Sequence, residues 1–501
     1  MTATSATVSP VPGGGLSPGP RHGVTNAIAL ALVLSAAYAA GQILFWSSPE
    51  LTSRTRLVAF FLVPEPTPFR VTRILVPVGW GVAAVLGLAL LLIRSGSTPQ
   101  GNRAAGAWAD RAVRACQYGI LGCLLLPFTA MPLADMGSGL PNLLLCLPTT
   151  LAALLLVHRL QLYRRMPGGL LLAGFGWGAL VGGGFGLVMI TWFQRSMPGY
   201  FIFGSWTSPK DGVRELYTLF PLGTAVVTEL GKAAGVAVLC LLFRRHIDGL
   251  VSGVVLGAAV GLGFNLTETI HYLDHINPAH HPTQFWDRQV VGLMTAHVAF
   301  TALAGAGIGA ARWLPVRSDR MVAVGGGLLA AVGGHFETDV LLMWLDGRRA
   351  DWYANEMLGL LIGIPVMVII TSGVFVALYV LILRRGLKAQ ATGVARALSA
   401  EAASGHRAVT EPEIGLLLSP RRRLLLELRV WRRDGTAGLR LLLRFQQAQL
   451  DLAVQRWHRE RPGADSFIPL EEELRARVLE LKGAPVISST TPSPSAREAT
   501  S

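Results

Sequence analysis

An all-α, polytopic transmembrane bundle is the fold class this sequence predicts, and three observations predict it. Apolar residues fill 51% of the 501 positions and charged residues only 15%, with a mean hydropathy of +0.47, a balance that soluble domains rarely carry. Between residues 26 and 383, apolar runs of roughly 20 residues recur, each long enough to cross about 30 Å of hydrocarbon at about 1.5 Å per residue. The runs lack the period-two alternation of barrel strands, and no water inside a bilayer satisfies backbone groups, so helices remain.

The chain opens on a Pro/Gly/Ser/Thr-rich leader, 1–24, whose one fixed charge is Arg21; this composition predicts disorder. A cleaved signal needs a basic segment directly before a shorter apolar stretch, whereas the run at 26–46 is long enough to stay in the membrane. On the length criterion about ten spans follow, at 26–46, 74–93, 117–134, 140–157, 170–193, 220–243, 251–272, 290–313, 321–345 and 357–383. Alternate loops are basic, carrying Arg94, Arg103, Arg111 and Arg114, then Arg159, Arg164 and Arg165, then Arg244 and Arg245, then Arg312, Arg317 and Arg320, and finally Arg384, Arg385 and Lys388. Basic loops face the cytoplasm. The intervening loops at 274–289 and 346–356 then face outward and both termini fall inside. Arg54, Arg56, Arg70 and Arg73, around a short apolar piece at 57–63, run against this pattern.

After the last span the composition turns Arg- and Leu-rich, predicting helices at 420–433 and 439–459 separated by a turn at Asp434 and Gly435. The face bearing Leu424, Leu428 and Trp431 either lies on anionic lipid or packs within a helical hairpin. From Pro485 onward the Ser/Thr/Pro-rich end predicts disorder. The organisation is thus a leader (1–24), accessory transmembrane helices (25–193), a transmembrane core (217–385) and a basic cytoplasmic helical tail with a disordered end (386–501). A net charge of +14 is what the topology of such a protein demands and does not indicate nucleic acid. Cys116, Cys123, Cys146 and Cys240 show no paired spacing and predict neither disulfides nor a thiolate metal site. The expected location is the cell (plasma) membrane, with the lipid bilayer as the first partner.

Ionisable groups inside apolar helices are expensive and usually face a bundle interior, a cavity or one another. Here they concentrate in four consecutive spans, as Glu229 and Lys232, Glu268 and His271, His297, and His335, Glu337 and Asp339. Counted from the outer ends, Glu229, Glu268, His297 and His335 lie at roughly 14, 7, 10 and 15 Å, all in the outer half. A shared pocket opening outward accounts for this. Gly253, Gly257, Gly261, Phe264 and Glu268 share one helical face, as do His297, Thr301, Gly305 and Gly309, and His335 lies one turn from Asp339. Small residues on such a face admit a neighbouring backbone, and Asp339 is spaced to orient or assist His335. The competing view makes these groups structural pairs, Glu229 with Lys232 and Glu268 with His271.

Two carboxylates and two histidines suit hydrolysis by either of two routes. In one, His297, His335 and Glu268 hold a divalent metal, Zn²⁺ by donor type, and Glu229 takes a proton from water. In the other, a carboxylate activates water without metal while an imidazole steadies the oxyanion. Proton or ion passage uses the same residue types. His275, His280 and His281 read as a solvated outer loop, and the acceptor pattern Asn265-Leu266-Thr267 lies within a span and is not expected to be glycosylated.

The order of these residues resembles the PrsW-type intramembrane proteases, relatives of the CAAX-processing and bacteriocin-processing membrane proteases. Thr228-Glu229-Leu230-Gly231-Lys232 is similar to a Glu-Glu-x-x-Lys motif; Asp248-Gly249, a Gly-rich run and Gly263-Phe264-Asn265-Leu266-Thr267-Glu268-Thr269 are similar to a second stretch ending Gly-Phe-x-x-x-Glu-Asn. His297 followed by a small-residue helix, and His335-Phe336-Glu337-Thr338-Asp339 against His-x-x-x-Asn, complete the set. Thr228 stands where the family has its first Glu, Thr269 where it has Asn, and Asp339 where it has Asn. The resemblance implies catalytic Glu229, Glu268, His297 and His335, supported by Lys232, Phe264, His271 and Asp339, and membrane-anchored protein substrates cut near the outer surface. A catalytically inactive membrane scaffold on the same fold is the reading Thr228 favours. An ion-coupled transporter is the third, although no internal repeat marks one.

Overall fold

The computed structural model describes residues 20–47, 66–96, 103–196, 214–276, 281–352, 356–460 and 471–483. The leader to residue 19, the apolar piece 57–63 and the Ser/Thr/Pro-rich end lie outside them. Among the described residues every regular element is helical, and nine helices are long and apolar enough to cross a membrane.

The first helices, α1 (Pro20–Ser47), α2 (Thr67–Gly96) and α3 (Arg103–Leu125), are followed by a single-turn piece with Pro127 and the short α4 (Ala130–Ser138). The expected straight span at 117–134 is therefore broken, because Pro127 cannot donate to the helical ladder. Next come α5 (Leu140–Arg159), α6 (Gly168–Gly176) and α7 (Gly183–Ser196), the last two joined by a π-helical stretch at Trp177–Gly182. The core is α8 (Arg214–Leu242), α9 (Leu250–His271), the short α10 (His281–Phe285), α11 (Ala296–Ala311) and α12 (Arg317–Trp352). Expected to start at 290, the eighth span instead starts its α-helix at Ala296. The Gly292 N–H turns back to the Asp287 carbonyl, and Thr295 N–H to that of Gly292. α12 contains the expected ninth span but is too polar to count among the nine.

Helix α9 is the axis of the bundle, buried along nearly its whole length. Its contact with α11 is backbone on backbone. A Cβ at Gly253, Gly257 or Gly261 would collide with the carbonyls of Gly305, Thr301 and His297 in turn, and one at Gly305 or Gly309 with those of Gly253 and Gly249. Gly307 and Gly327 repeat the approach between α11 and α12. Inside a bilayer there is little hydrophobic drive between helices, so close packing of small residues is what joins them. At its N-terminus α9 is preceded by Gly249, whose φ of +133° suits only glycine, and Ser252 Oγ accepts the N–H groups of Asp248 and Gly249 at 2.9 and 3.1 Å.

The loops predicted to face the cytoplasm gather at one end. Arg164 donates to the Arg245 carbonyl at 3.0 Å, and Arg312 reaches the carbonyls of Arg244 and Ile247. After Glu356–Leu358, here α13, and a π-helical turn, α14 (Ile364–Ala403) carries the chain out of the bundle into the tail, where α15 (Glu411–Leu417), α16 (Pro420–Arg459) and α17 (Glu471–Lys482) pack on its end. Gly435, at φ +66°, kinks α16 where the turn was predicted. Leu162 and Tyr163, from the loop after α5, join the apolar centre of this unit, Trp313 stacks on His458 at 4.6 Å, and Glu401 takes charge-assisted bonds from Arg456 and Arg475. That bond holds the Arg475 guanidinium above its ordinary range. Leu424, Leu428 and Trp431 remain exposed on α16, so they do not form the interior of a hairpin.

The glycine ladder yields a paired expectation. Gly257→Ala drives a methyl into the Thr301 backbone and costs about 1–3 kcal/mol, as overpacking does, whereas Gly325→Ala, which meets open space, gains helix propensity of up to about 1 kcal/mol. Thermal unfolding of the two variants in one detergent should move in opposite directions.

Candidate functional site

The ladder that joins α9 to α11 also aims the C-terminal end of α9 and the N-terminal end of α11. Beyond Gly261 the same face of α9 presents Phe264 and Glu268, and the first turn of α11 presents His297 opposite them. Trp177, in the π-helical stretch, donates to the Gly231 carbonyl at 3.1 Å and fixes α8 against this pair, while Gly334 lets α12 lie on Phe300. Four helices thus deliver their polar residues to one place.

Glu229 and Lys232 are fully buried and ion-paired. Glu229 Oε1 lies 2.8 Å from His335 Nδ1, and Glu229 Oε2, also buried, has no hydrogen-bond partner. His297 Nδ1 is 3.3 Å from Lys232 Nζ, and its Nε2 is 2.6 Å from Glu268 Oε2. The two imidazole rings meet edge to face at 5.2 Å. Phe264 lies 4.9 Å from the His297 ring and 4.4 Å beneath the Lys232 ammonium, and Phe300 stacks on His335. Asp339 Oδ2 sits 3.7 Å from His335 Nε2 and accepts the Thr224 hydroxyl at 3.2 Å. The Thr228 hydroxyl, donating to the Thr224 carbonyl, has its oxygen 3.1 Å from His335 Nδ1; the position where a first Glu was expected faces the site but brings an oxygen without charge.

One donor atom each from Glu229, His297 and His335 falls within 4.8 Å of the other two. The carboxylate that joins the two histidines is therefore Glu229, not the Glu268 of the expected metal set. Glu268 stands beyond, on the far nitrogen of His297. Two nitrogens and one carboxylate oxygen are donors that suit a divalent metal of zinc type, Glu229 Oε2 is an orphaned acceptor, and a buried ammonium already sits among the three. The residues fit a cation.

Two partners were not anticipated. Arg288 donates to Glu268 Oε2 at 2.8 Å and lies 3.6 Å over the Tyr272 ring; it belongs to the stretch 274–289 that is expected to face outward. An arginine on an outer boundary opposes the charge rule for loops, and that was the available signal. His271, expected to support Glu268, turns instead to Asp135 Oδ2 at 2.9 Å, a partner more than a hundred residues earlier that no local pattern indicates.

A model of the PrsW family intramembrane metalloproteases matches residues 166–374, a segment that contains all four converging helices. The chain resembles the PrsW family. No curated protein and no solved structure matches it. The PrsW-like segment supports an intramembrane protease in general, and with its apolar helices the chain is an integral, multi-pass membrane protein. Family description and donor set together suggest a metal.

The Glu268–Arg288 pair is testable apart from any activity. Arg288→Met leaves a carboxylate without its counter-ion and destabilises the protein by about 3–5 kcal/mol; adding Glu268→Gln recovers most of that loss. A double-mutant cycle read by thermal unfolding measures the coupling.

Proposed function

We propose that this protein is a metal-dependent intramembrane peptidase of the cell (plasma) membrane that hydrolyses membrane-anchored proteins near the extracytoplasmic side. One observation carries the reading: donors of Glu229, His297 and His335 meet within 4.8 Å, inside the PrsW-like segment, with carboxylates beside the other nitrogen of both histidines. Such carboxylates orient ligating histidines and raise their basicity.

In this reading Glu229, His297 and His335 hold the metal, Zn²⁺ by donor type, with Glu268 and Asp339 orienting the imidazoles. A divalent ion there supplies Lewis acidity, lowering the pKa of water and polarising the scissile carbonyl. Both hydrogen bonds to Glu268 end on Oε2, which leaves Oε1 to accept a proton from water. Arg288 pairs with that carboxylate at 2.8 Å. The protonated Glu268 then delivers the proton to the leaving amine, a general base turned general acid. Phe264 and Phe300 wall the imidazoles and exclude competing water.

Incubation of the purified chain with single-span substrates tests this. Glu229→Ala and His297→Ala should lower cleavage about 10²–10⁴-fold or more, and Glu268→Gln comparably, the range over which acid–base groups act. Chelation should abolish cleavage and added Zn²⁺ restore it. Cleavage that survives both alanine variants removes the site, and chelator-resistant cleavage that needs Glu268 supports the metal-free route. Capture of substrate with no cleavage by wild type supports a scaffold, the reading that Thr228 favours.

A further inference from the structure

A second group of donors lies at the outer end of the bundle, separate from the cluster around Glu229. Asp135 on α4, His271 at the end of α9 and His275 in the π-helical turn that follows each offer one ligand atom within 4.8 Å of the others. His271 Nδ1 is 2.9 Å from Asp135 Oδ2, and His275 Nε2 is 3.4 Å from Asp135 Oδ1. The two rings stand edge to face at 5.2 Å. From these contacts we infer a second divalent-cation site, of the zinc class, that ties α4 to the turn after α9.

Three features argue for a cation there. Asp135 is buried, at 6% exposure, and a buried carboxylate requires positive charge; the ion-pair partners it has among the described residues are these two imidazoles. Both rings aim a nitrogen at one carboxylate, which as two imidazoliums would set like charges edge to edge, whereas neutral imidazoles around a metal would not. One ligand atom from each of the three residues lies within 4.8 Å of the other two, close enough for a single ion with ligand bonds of roughly 2 Å to reach all three. An independent observation sits beside them. Asp274, the residue before His275, has a buried Oδ2 with no hydrogen-bond partner, and it lies against Gly139, whose N–H caps the Asp135 carbonyl. Its other oxygen takes Asn142 at 2.5 Å. A hard, unsatisfied acceptor is thus packed into the same corner.

Two nitrogens and a carboxylate oxygen select zinc, cobalt or nickel over calcium or magnesium, which prefer all-oxygen sites. His275 is nearly half exposed, so an ion has a route from the outer solvent. The turn so clamped carries Tyr272, on whose ring Arg288 rests. Occupancy therefore stiffens the support of the Glu268 pair, while the inference itself does not rest on the protease reading.

The test uses the full chain in detergent micelles, loaded with Zn²⁺ or Co²⁺, desalted, and assayed for metal by elemental analysis. Wild type should retain an equivalent that His275→Ala and His271→Ala lose and that a His297→Ala/His335→Ala variant keeps. Bound Co²⁺ should show visible absorption bands that disappear with the first two substitutions, and Zn²⁺ should raise the unfolding temperature of wild type but not of His275→Ala. Should His271→Ala misfold by circular dichroism, His275→Gln, at the exposed position, takes its place. Metal content and cobalt spectrum unchanged in the His275 variants overturn the site, as does metal that washes from wild type on desalting.

Discussion

Charge buried at the depth of a bilayer has to be neutralised by charge from the same protein. Water and counter-ions are absent, and each isolated ion would cost several kcal/mol. Much of the arrangement of the four converging helices follows from that constraint. Glu229 is matched by Lys232 and faced by His335, and Glu268 by Arg288 and His297. Glu229 and Lys232 pair within one helix, but Glu268 finds Arg288 and His297 only on other segments, so the helices must come together for that carboxylate to be tolerated.

Their meeting depends on glycine. Side chains at Gly253, Gly257, Gly261, Gly305 and Gly309 would hold α9 and α11 apart, and His297 Nε2 could not then stand 2.6 Å from Glu268. The ladder spends no polar group on adhesion. Its van der Waals contact leaves the ionisable residues of the same face free to converge at one end, while the opposite end is tied by main-chain carbonyls, by Trp313 on His458 and by the tail helices packed there. One end of the bundle is braced and the other holds the converging ionisable groups.

Proximity of a carboxylate to a histidine has two consequences in such a bundle. Near His297 and His335 the carboxylates Glu268 and Asp339 stand beside rings whose other nitrogens face Lys232 and Glu229. At Asp135 the order reverses, with two imidazoles converging on one carboxylate. Arg288 belongs with the first group through Glu268 and with the second through Tyr272, and so lies between them.

Local sequence was enough for much of this. Run length and the absence of alternation specified helices, basic loops specified which ends share a side, and helical periodicity specified that Gly253 through Glu268 form one stripe, because these are properties of a single segment and its solvent. The kink at Gly435 was legible for the same reason. Partner choice was not. Whether Glu229 or Glu268 joins the two histidines, that His271 turns to Asp135, that Arg288 reaches Glu268 and that Leu424 and Trp431 stay outside the tail's interior all depend on distances between segments far apart in the chain. Those distances are set by how closely backbones pack, and a one-dimensional pattern records which face a residue occupies but not how near the opposing face will come.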